Sequence, residues 1–470
     1  MKKLFISLGF IMLFAFAMYS QSLFESAMDS VSANSNNKAE LSLNGYARGS
    51  IYGGSKNYDL SSGFAELSLQ GKFDYKNAFL QSDIRFREGM FFNERQREIQ
   101  FKELYAGYRS EKFDAFLGNQ IVTWGRTDGF NPTNNLTPND YFFLTANMDD
   151  QKLSNFMLRM KYRMTPLIEL ELIGIPFYKE SNYRYDLFDL NSEIVIADLP
   201  VPMPPVQVNA HFDKITFPER KLKNGSIGAR LNFELPQAGF SFSYFRGYDP
   251  FHGFNLQDIA TSETDPTQPV VITYAPKAYL KNTLGADFAI PVSTWIFRGE
   301  MAYNFVENKD KHMYIPQSDF SYVFGIEKNW NDFIFIGQYI GKKVSDFSEL
   351  TEPILNPADQ LSLMTFPMEM AKYESSLFNR KIFNQQEKMN HAVSLTISRS
   401  FAYEVWNAEL TGFYNFTSEE WMIRPQLTWK ISDALALAVG AQYMKGPDKS
   451  LFYYSSPVLN GAFAELKVSF

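Results

Sequence analysis

Residues 65–87 read Ala65-Glu66-Leu67-Ser68-Leu69-Gln70-Gly71-Lys72-Phe73-Asp74-Tyr75-Lys76-Asn77-Ala78-Phe79-Leu80-Gln81-Ser82-Asp83-Ile84-Arg85-Phe86-Arg87, two alternating runs joined at Lys76-Asn77. In the first, Ala65, Leu67, Leu69, Phe73 and Tyr75 share one face, and Glu66, Ser68, Gln70, Lys72 and Asp74 share the other. The returning run sets Leu80, Ile84 and Phe86 against Gln81, Asp83, Arg85 and Arg87. Successive side chains of a strand point to opposite faces. A soluble sandwich has no need of an apolar outer face, whereas lipid outside and water inside require this split.

The pattern recurs along the chain. A first strand over 40–51 puts Leu41, Leu43, Ala47 and Ile51 opposite Glu40, Ser42, Asn44, Tyr46 and Arg48. Further strands are expected near 98–110, 113–123, 153–163, 166–175, 225–235, 239–248, 279–290 and 294–305, then 319–328, 332–341, 390–399, 403–416, 420–431, 433–444 and 460–470. The expected fold is therefore all-β, a transmembrane antiparallel barrel of about 18 strands over residues 40–470, with 16 as the alternative count. Short and long connections alternate. Tight turns are expected at Ser110-Glu111-Lys112, Met164-Thr165, Pro236-Gln237-Ala238, Pro291-Val292-Ser293 and Asn329-Trp330-Asn331. Long connections cover 124–152, 176–223, 249–278, 306–318 and 342–389, the asymmetry of short periplasmic turns and long extracellular loops. Inside the second, Leu199-Pro200-Val201-Pro202-Met203-Pro204-Pro205 is stiff and extended; it reads as a solvated spacer, with a pore cap or partner contact as the sharper alternative.

The N-terminus fixes the compartment. Met1-Lys2-Lys3, an apolar run from Leu4 to Met18 and the small, polar exit Tyr19-Ser20-Gln21-Ser22 form a secretory signal peptide, assigned to 1–20, with 21–39 a short periplasmic segment. The alternative, a single anchoring helix, has a run short of the roughly 20 residues a span needs. No later stretch is long and apolar enough for a helical span, so an exported chain enters a membrane only as a closed barrel. The expected location is the outer membrane of a Gram-negative bacterium, reached by Sec export. At the other end Ala462, Ala464, Leu466, Val468 and Phe470 alternate with Glu465, Lys467 and Ser469. Ending on Phe470 resembles the terminal strand by which the barrel assembly machinery recognises its substrates, so that machinery, membrane lipid and lipopolysaccharide are expected partners, with a homo-oligomer as a further one.

Composition removes other classes. The 470 residues include no Cys, which excludes disulfide scaffolds, thiolate metal sites, Cys nucleophiles and a lipoprotein anchor. A net charge of −7 without a basic tail gives no nucleic-acid footprint. With 45% hydrophobic and 21% charged residues the chain is not disordered. His211, His252, His312 and His391 show no metal-ligand spacing, no Gly-rich phosphate loop is present, and neither metal nor cofactor is expected. An enzyme is not expected; an outer-membrane hydrolase with a Ser/His or Asp/His pair assembled in space is the third reading.

One stretch resembles a known group. Phe116-Leu117-Gly118-Asn119-Gln120-Ile121-Val122-Thr123-Trp124-Gly125-Arg126, followed by Asn131-Pro132 and Leu136-Thr137-Pro138, is similar to a strand-and-loop motif of large porin-like barrels. Residues 244–250, 284–288 and 298–303 resemble later strands of the same group. The resemblance covers 40–345 in patches and is to a poorly characterised family of Gram-negative outer-membrane proteins, distantly similar to alginate-export barrels. It implies a porin-like barrel and marks Gly118, Gln120, Trp124, Gly125 and Arg126 as motif residues. The family usually carries Arg where this chain has Asn119.

About 18 tilted strands enclose an aqueous lumen, so inward residues set selectivity. Arg159, Lys161 and Arg163 lie on one inward face and Arg85 and Arg87 form a shorter ladder. The 124–152 connection, third on the long side, carries Asp128, Asp140, Asp149 and Asp150. In general porins the third outer loop enters the lumen and opposes a basic wall. The expectation is a constriction in which these acids face Arg85, Arg87, Arg159, Lys161 and Arg163. The alternative is that neighbouring strands neutralise the ladder, with Glu169 and Glu171 as partners. Trp295, Phe297, Tyr303, Trp406, Trp421 and Trp429 are read as outward interface girdles rather than a stacked sugar path. The expected function is a channel for passive diffusion of small polar or charged solutes through a loop-narrowed lumen; the alternative is a plugged barrel for polymer export, assembly or adhesion.

Overall fold

The computed structural model describes residues 39–194, 206–214, 217–260, 270–356 and 358–470. The expected signal peptide over 1–20, most of the expected periplasmic segment 21–39 and the proline-rich run 199–205 lie outside the described residues.

The alternation becomes strands β1 (Glu40–Gly53), β2 (Leu60–Tyr75), β3 (Ala78–Phe91), β4 (Glu94–Arg109), β5 (Phe113–Gln120), β6 (Asn155–Thr165) and β7 (Ile168–Ile175). After two short strands, β8 (Ser192–Ile194) and β9 (Val206–Phe212), come β10 (Ser226–Leu235) and β11 (Ala238–Tyr248). Another short pair, β12 (Gly253–Ala260) and β13 (Val270–Lys277), precedes β14 (Leu280–Val292), β15 (Trp295–Val306), β16 (Asp319–Trp330) and β17 (Phe333–Val344). The series ends with β18 (Met389–Phe401), β19 (Trp406–Asn415), β20 (Glu420–Lys430), β21 (Leu435–Lys445) and β22 (Gly461–Ser469). Omitting β8, β9, β12 and β13, each strand pairs antiparallel with the next, and β22 pairs with β1. The result is a closed 18-stranded barrel. Closure leaves no sheet edge. It is completed at the C-terminus, where Phe470 and Gly45 exchange two backbone hydrogen bonds of 2.8 and 2.9 Å.

The faces agree with the pattern. Ile51, Leu69, Phe73, Leu80 and Phe86 are exposed on the outer surface, whereas Glu66, Ser68, Arg85 and Arg87 are buried inside. Trp295, Phe297 and Trp429 are likewise exposed, and Trp406 stacks on Trp429 with centroids 5.2 Å apart.

Three details differ from expectation. The turns after β6, β14 and β16 fall two residues later than read, because Met164-Thr165, Pro291-Val292 and Asn329-Trp330 remain in their strands. The β3–β4 connection, on the long side, is only Phe92-Asn93, both with positive φ (50° and 66°), the geometry that matches strand twist in a two-residue hairpin. The remaining long connections are not all irregular. β12, β13, β9 and β8 form a second, four-stranded sheet, with β13 parallel to β9. Helix α1 (Gln360–Ile382) and helix α2 (Leu451–Leu459) cover the same end of the barrel. Tyr185, Val208, Phe254, Ile272, Tyr274, Phe378 and Ile382 give this cap its own apolar core. Asn379 of α1 closes it: its amide accepts from Phe254 N (2.9 Å) and donates to Phe254 O (2.7 Å), replacing a neighbouring strand at the edge of β12.

Candidate pore constriction

The β5–β6 connection, 121–154, turns into the lumen, and its two halves are fixed to different walls. Gly118 and Gln120 launch it. Gly118 has φ +137°, and Gln120 Nε2 donates to Met157 O at 3.1 Å. Trp124 is buried in a small core with Leu136, Met157, Ile173 and Phe245, its ring lying over Gly228. The next two residues reach β14 and β15. Arg126 pairs with Asp287 (2.8 Å) and Glu234 (2.5 Å), and Asp287 also holds Arg230. Gly125 has φ +107°, and a Cβ there would lie 2.3 Å from the Glu300 carboxylate, so glycine is required on both counts.

Glu300 is the anchor of this half. It is fully buried, and one oxygen accepts from Thr133 N and Thr133 Oγ1, both at 2.8 Å. The other accepts from Thr127 Oγ1 (2.8 Å), Arg126 N (3.2 Å), Asn131 Nδ2 (3.2 Å) and Thr127 N (3.4 Å). No cation pairs with it among the described ion pairs; hydrogen-bond donors alone balance the charge. Residues 126–133 thus form a strap tied to β15. At its tip Phe130 stacks on Phe413 of β19, centroids 5.6 Å apart, so the loop crosses the lumen to the wall opposite its own strands.

The distal half returns to β1–β4 and β20. Asp150 meets Arg48 (2.6 Å) and Arg85 (3.0 Å), while Glu66 pairs with Arg48 and Arg87, each at 2.6 Å. Burial raises the pKa of Asp150, but Arg48 and Arg85 reverse this and hold it at about 2. A bulge in β4 adds Lys102 to the wall. Its ammonium donates to Asp150 O (2.7 Å) and to Lys152 O. Arg424 donates to the carbonyls of Thr145 and Ala146 at 3.1 and 2.9 Å. Phe142, Phe143 and Leu144 pack on Tyr52, Phe64 and Phe91, and Arg87 lies 3.8 Å from the Phe143 ring centroid.

These contacts redistribute the expected site. Among the four loop acids, Asp150 reaches the Arg85 ladder and Asp128 reaches Arg298 of β15 at 2.5 Å. Asp140 is half-buried, desolvation raises its pKa, and it accepts from Phe142 N. Asp149 is exposed and pairs with Lys152. No loop acid pairs with the second ladder among the described residues. Arg159 binds Glu171 (2.5 Å), Lys161 binds Glu169 (2.8 Å) and Arg163 binds Asp114 (2.8 Å), so neighbouring strands neutralise it. The reason is distance along the sheet: β7 and β5 flank β6, whereas the loop has crossed to other walls. That ladder lines a recess of about 340 Å³ near the Pro166-Leu167 turn, with Arg126, Arg230 and Glu234. Sequence reading missed Arg48, Glu66, Lys102, Asp287, Glu300 and Arg424; each is an inward charge on an alternating strand, so the signal was present without its partner.

No family model matches the chain, and no curated protein matches it. Among solved structures it is similar to Pseudomonas aeruginosa OccK2 (OpdF) in complex with glucuronate, with a TM-score of 0.49 and 7% identity over 92% of this chain and 97% of that one. It is also similar to Acinetobacter baumannii OccAB2 (0.49, 10% identity, 92% and 98%) and to P. aeruginosa OpdK with vanillate (0.49, 7%, 92% and 98%). At these identities the likeness is one of barrel architecture alone.

Proposed function

We propose that the chain is an outer-membrane channel of a Gram-negative bacterium, passing small polar or charged solutes by diffusion, with loop 121–154 as its constriction. One observation carries the reading: an inward-folded third connection is tied at both ends to a polar, charge-lined interior. A closed barrel of this strand number encloses more space than its own side chains fill, and the loop reduces that space to a defined aperture. Arg85 and Arg87, with Asp150, form the charged edge of the constriction, and Asp128 with Arg298 forms another. Asp140 and Asp149 belong to the loop that frames it. Arg159, Lys161 and Arg163 line the recess at the turn end. Because every one of these cations has an acidic partner, weak ion selectivity is expected. The apolar outer face takes membrane lipid and, at the loop end, lipopolysaccharide; the strand ending at Phe470 is the segment read by the assembly machinery.

The cap supports a second reading. Its separate apolar core suits a barrel whose mouth stays covered until a partner displaces it, as export, assembly or adhesion would need. Planar-bilayer recording of purified, refolded protein decides between the two. Steady open-channel conductance in KCl is the outcome expected of a diffusion channel, and a silent barrel would overturn it.

A further inference from the structure

The lumen is not uniform. On β1–β3, Arg48, Glu66, Asp83, Arg85 and Arg87 form one charged network. On β17–β19 the inward residues at mid-height are different. Gln338, Ser394 and Phe413 lie in register on neighbouring strands, with Tyr339, Leu395 and Tyr414 exposed on the outer side. Met422 of β20 is in register with Phe413 and continues the same row. This part of the wall carries no charge and presents an aromatic ring to the lumen.

The strap delivers a second ring to that place. Thr127 Oγ1 shares its one proton between Phe130 O (2.6 Å) and Glu300, and Asn131 Nδ2 donates to Thr127 O (2.7 Å), closing a turn that projects Phe130. One face of Phe130 covers Phe413; behind it, Phe452 of α2 packs on Phe413 at 6.1 Å. Phe130 nevertheless keeps 38% of its surface exposed, and the water it meets is that of the lumen. Two residues away, the exposed Asp128 carboxylate and Arg298 form an ion pair, with Glu327 on the far side of Arg298 at 2.8 Å. An uncovered aromatic ring in an aqueous passage is unfavourable, and offset stacking against a second flat ring relieves it.

Resting on the channel reading, we infer that Phe130, braced by Phe413, is the specificity-determining contact of the aperture and takes the flat apolar face of a small solute whose polar head lies at Asp128–Arg298. A planar side chain on a zwitterionic head fits this pairing. A macromolecule does not, because the strap and the cap lie in the way. Discrimination here is by ring surface rather than by net charge.

The test uses the full-length protein in a planar bilayer at neutral pH, with L-phenylalanine and L-alanine as probes of equal charge. The expected result is that L-phenylalanine occludes the KCl current at a concentration roughly threefold to tenfold below that of L-alanine. In Phe130→Ser the two probes become equivalent; Phe130→Tyr retains the preference. Phe413→Ser removes the brace from the wall side and gives the same loss, so the result does not depend on one variant. Equal occlusion by both probes in the wild type, or an unchanged preference in Phe130→Ser, overturns the assignment and leaves the channel intact. A wild-type barrel without KCl conductance overturns the channel reading and this assignment with it.

Discussion

Glu300→Gln isolates the anchor of the strap. The substitution keeps shape and volume but replaces one carboxylate oxygen by an amide nitrogen, which donates and cannot accept. Whichever oxygen is lost, a backbone donor loses its acceptor, Thr133 N on one side or Arg126 N and Thr127 N on the other, and the bonds that remain lose the charge on theirs, a loss equivalent to about two charge-assisted bonds. The new N–H groups would also face backbone donors in a fully buried site. Bonds to a charged acceptor contribute about 1.5–3 kcal/mol each, so strap docking weakens by about 3–6 kcal/mol. As a local opening equilibrium that is roughly a hundred- to ten-thousandfold. Hydrogen exchange across residues 124–135 in detergent micelles reads it directly, with the β15–β16 ladder as internal reference because its backbone pairing is untouched. Faster exchange confined to the strap, together with added open-channel current noise, is expected. Unchanged exchange in the strap would refute the claim that Glu300 holds it.

Three further outcomes follow from the same contacts. Asp150→Asn leaves Arg48 and Arg85 with Glu66, Glu465 and Asp83 but short of one negative charge; reversal potentials in a KCl gradient should move toward anion preference, and exchange in 143–152 should rise by about a hundredfold, the lower end of what breaking a buried pair costs. Gly125→Ala places a Cβ against Glu300 at a positive φ, costing about 1–3 kcal/mol; exchange should rise in 124–133 and not in β14. Two pH windows should be separable by exchange. Burial lowers His252 from 6.5 to about 4, with Asp249 opposing, so the unfolded cap binds the proton first and up to about 3 kcal/mol of cap stability is lost as pH falls from 6.5 to 4. Asp150, held at about 2 against an ordinary 3.8, contributes docking strength above 3.8 that is lost only as pH falls toward 2. Residues 270–277 should therefore loosen at pH 5 while 143–152 stays docked.

The barrel was legible because its information is local. A period of two over eight to sixteen residues survives errors of a residue or two at each end, and every one of the 18 barrel strands falls on an expected segment. The cap was not legible for an equally local reason. In α1 the buried stripe runs Ala371, Ser375, Phe378, Ile382, and beside it lies Asn379, so polar residues occupy the positions where a helical period would be sought. Pro367 inside the helix reads as a breaker as well. Ser375 and Asn379 are buried because they have partners, Ser375 with Tyr274 Oη and Asn379 with the Phe254 backbone. A polar residue whose partner lies more than a hundred positions away carries no amphipathic signal.

The constriction fails to be legible by the same logic, with charge in place of hydropathy. Alternation states that Arg85, Arg159 and Glu300 point inward; it is silent on what each meets there. The partners of Arg159 are the ones a strand-neighbour rule supplies, because Glu171 is twelve residues away on the adjoining strand. Arg85 and Glu300 instead meet a loop, across 65 and up to 174 residues, and those distances are set by how far the loop reaches rather than by the sheet. Strand-to-strand charge pairs can therefore be assigned from sequence and discounted as mutual satisfaction. Glu300 is a charge left over after that subtraction: it has the uncharged Val323 in register on one side and Asp287 on the other, neither can pair with it, and it holds the loop. At Glu300, an inward carboxylate with no basic residue in register on either adjoining strand is the sequence feature that coincides with the point where the strap is tied.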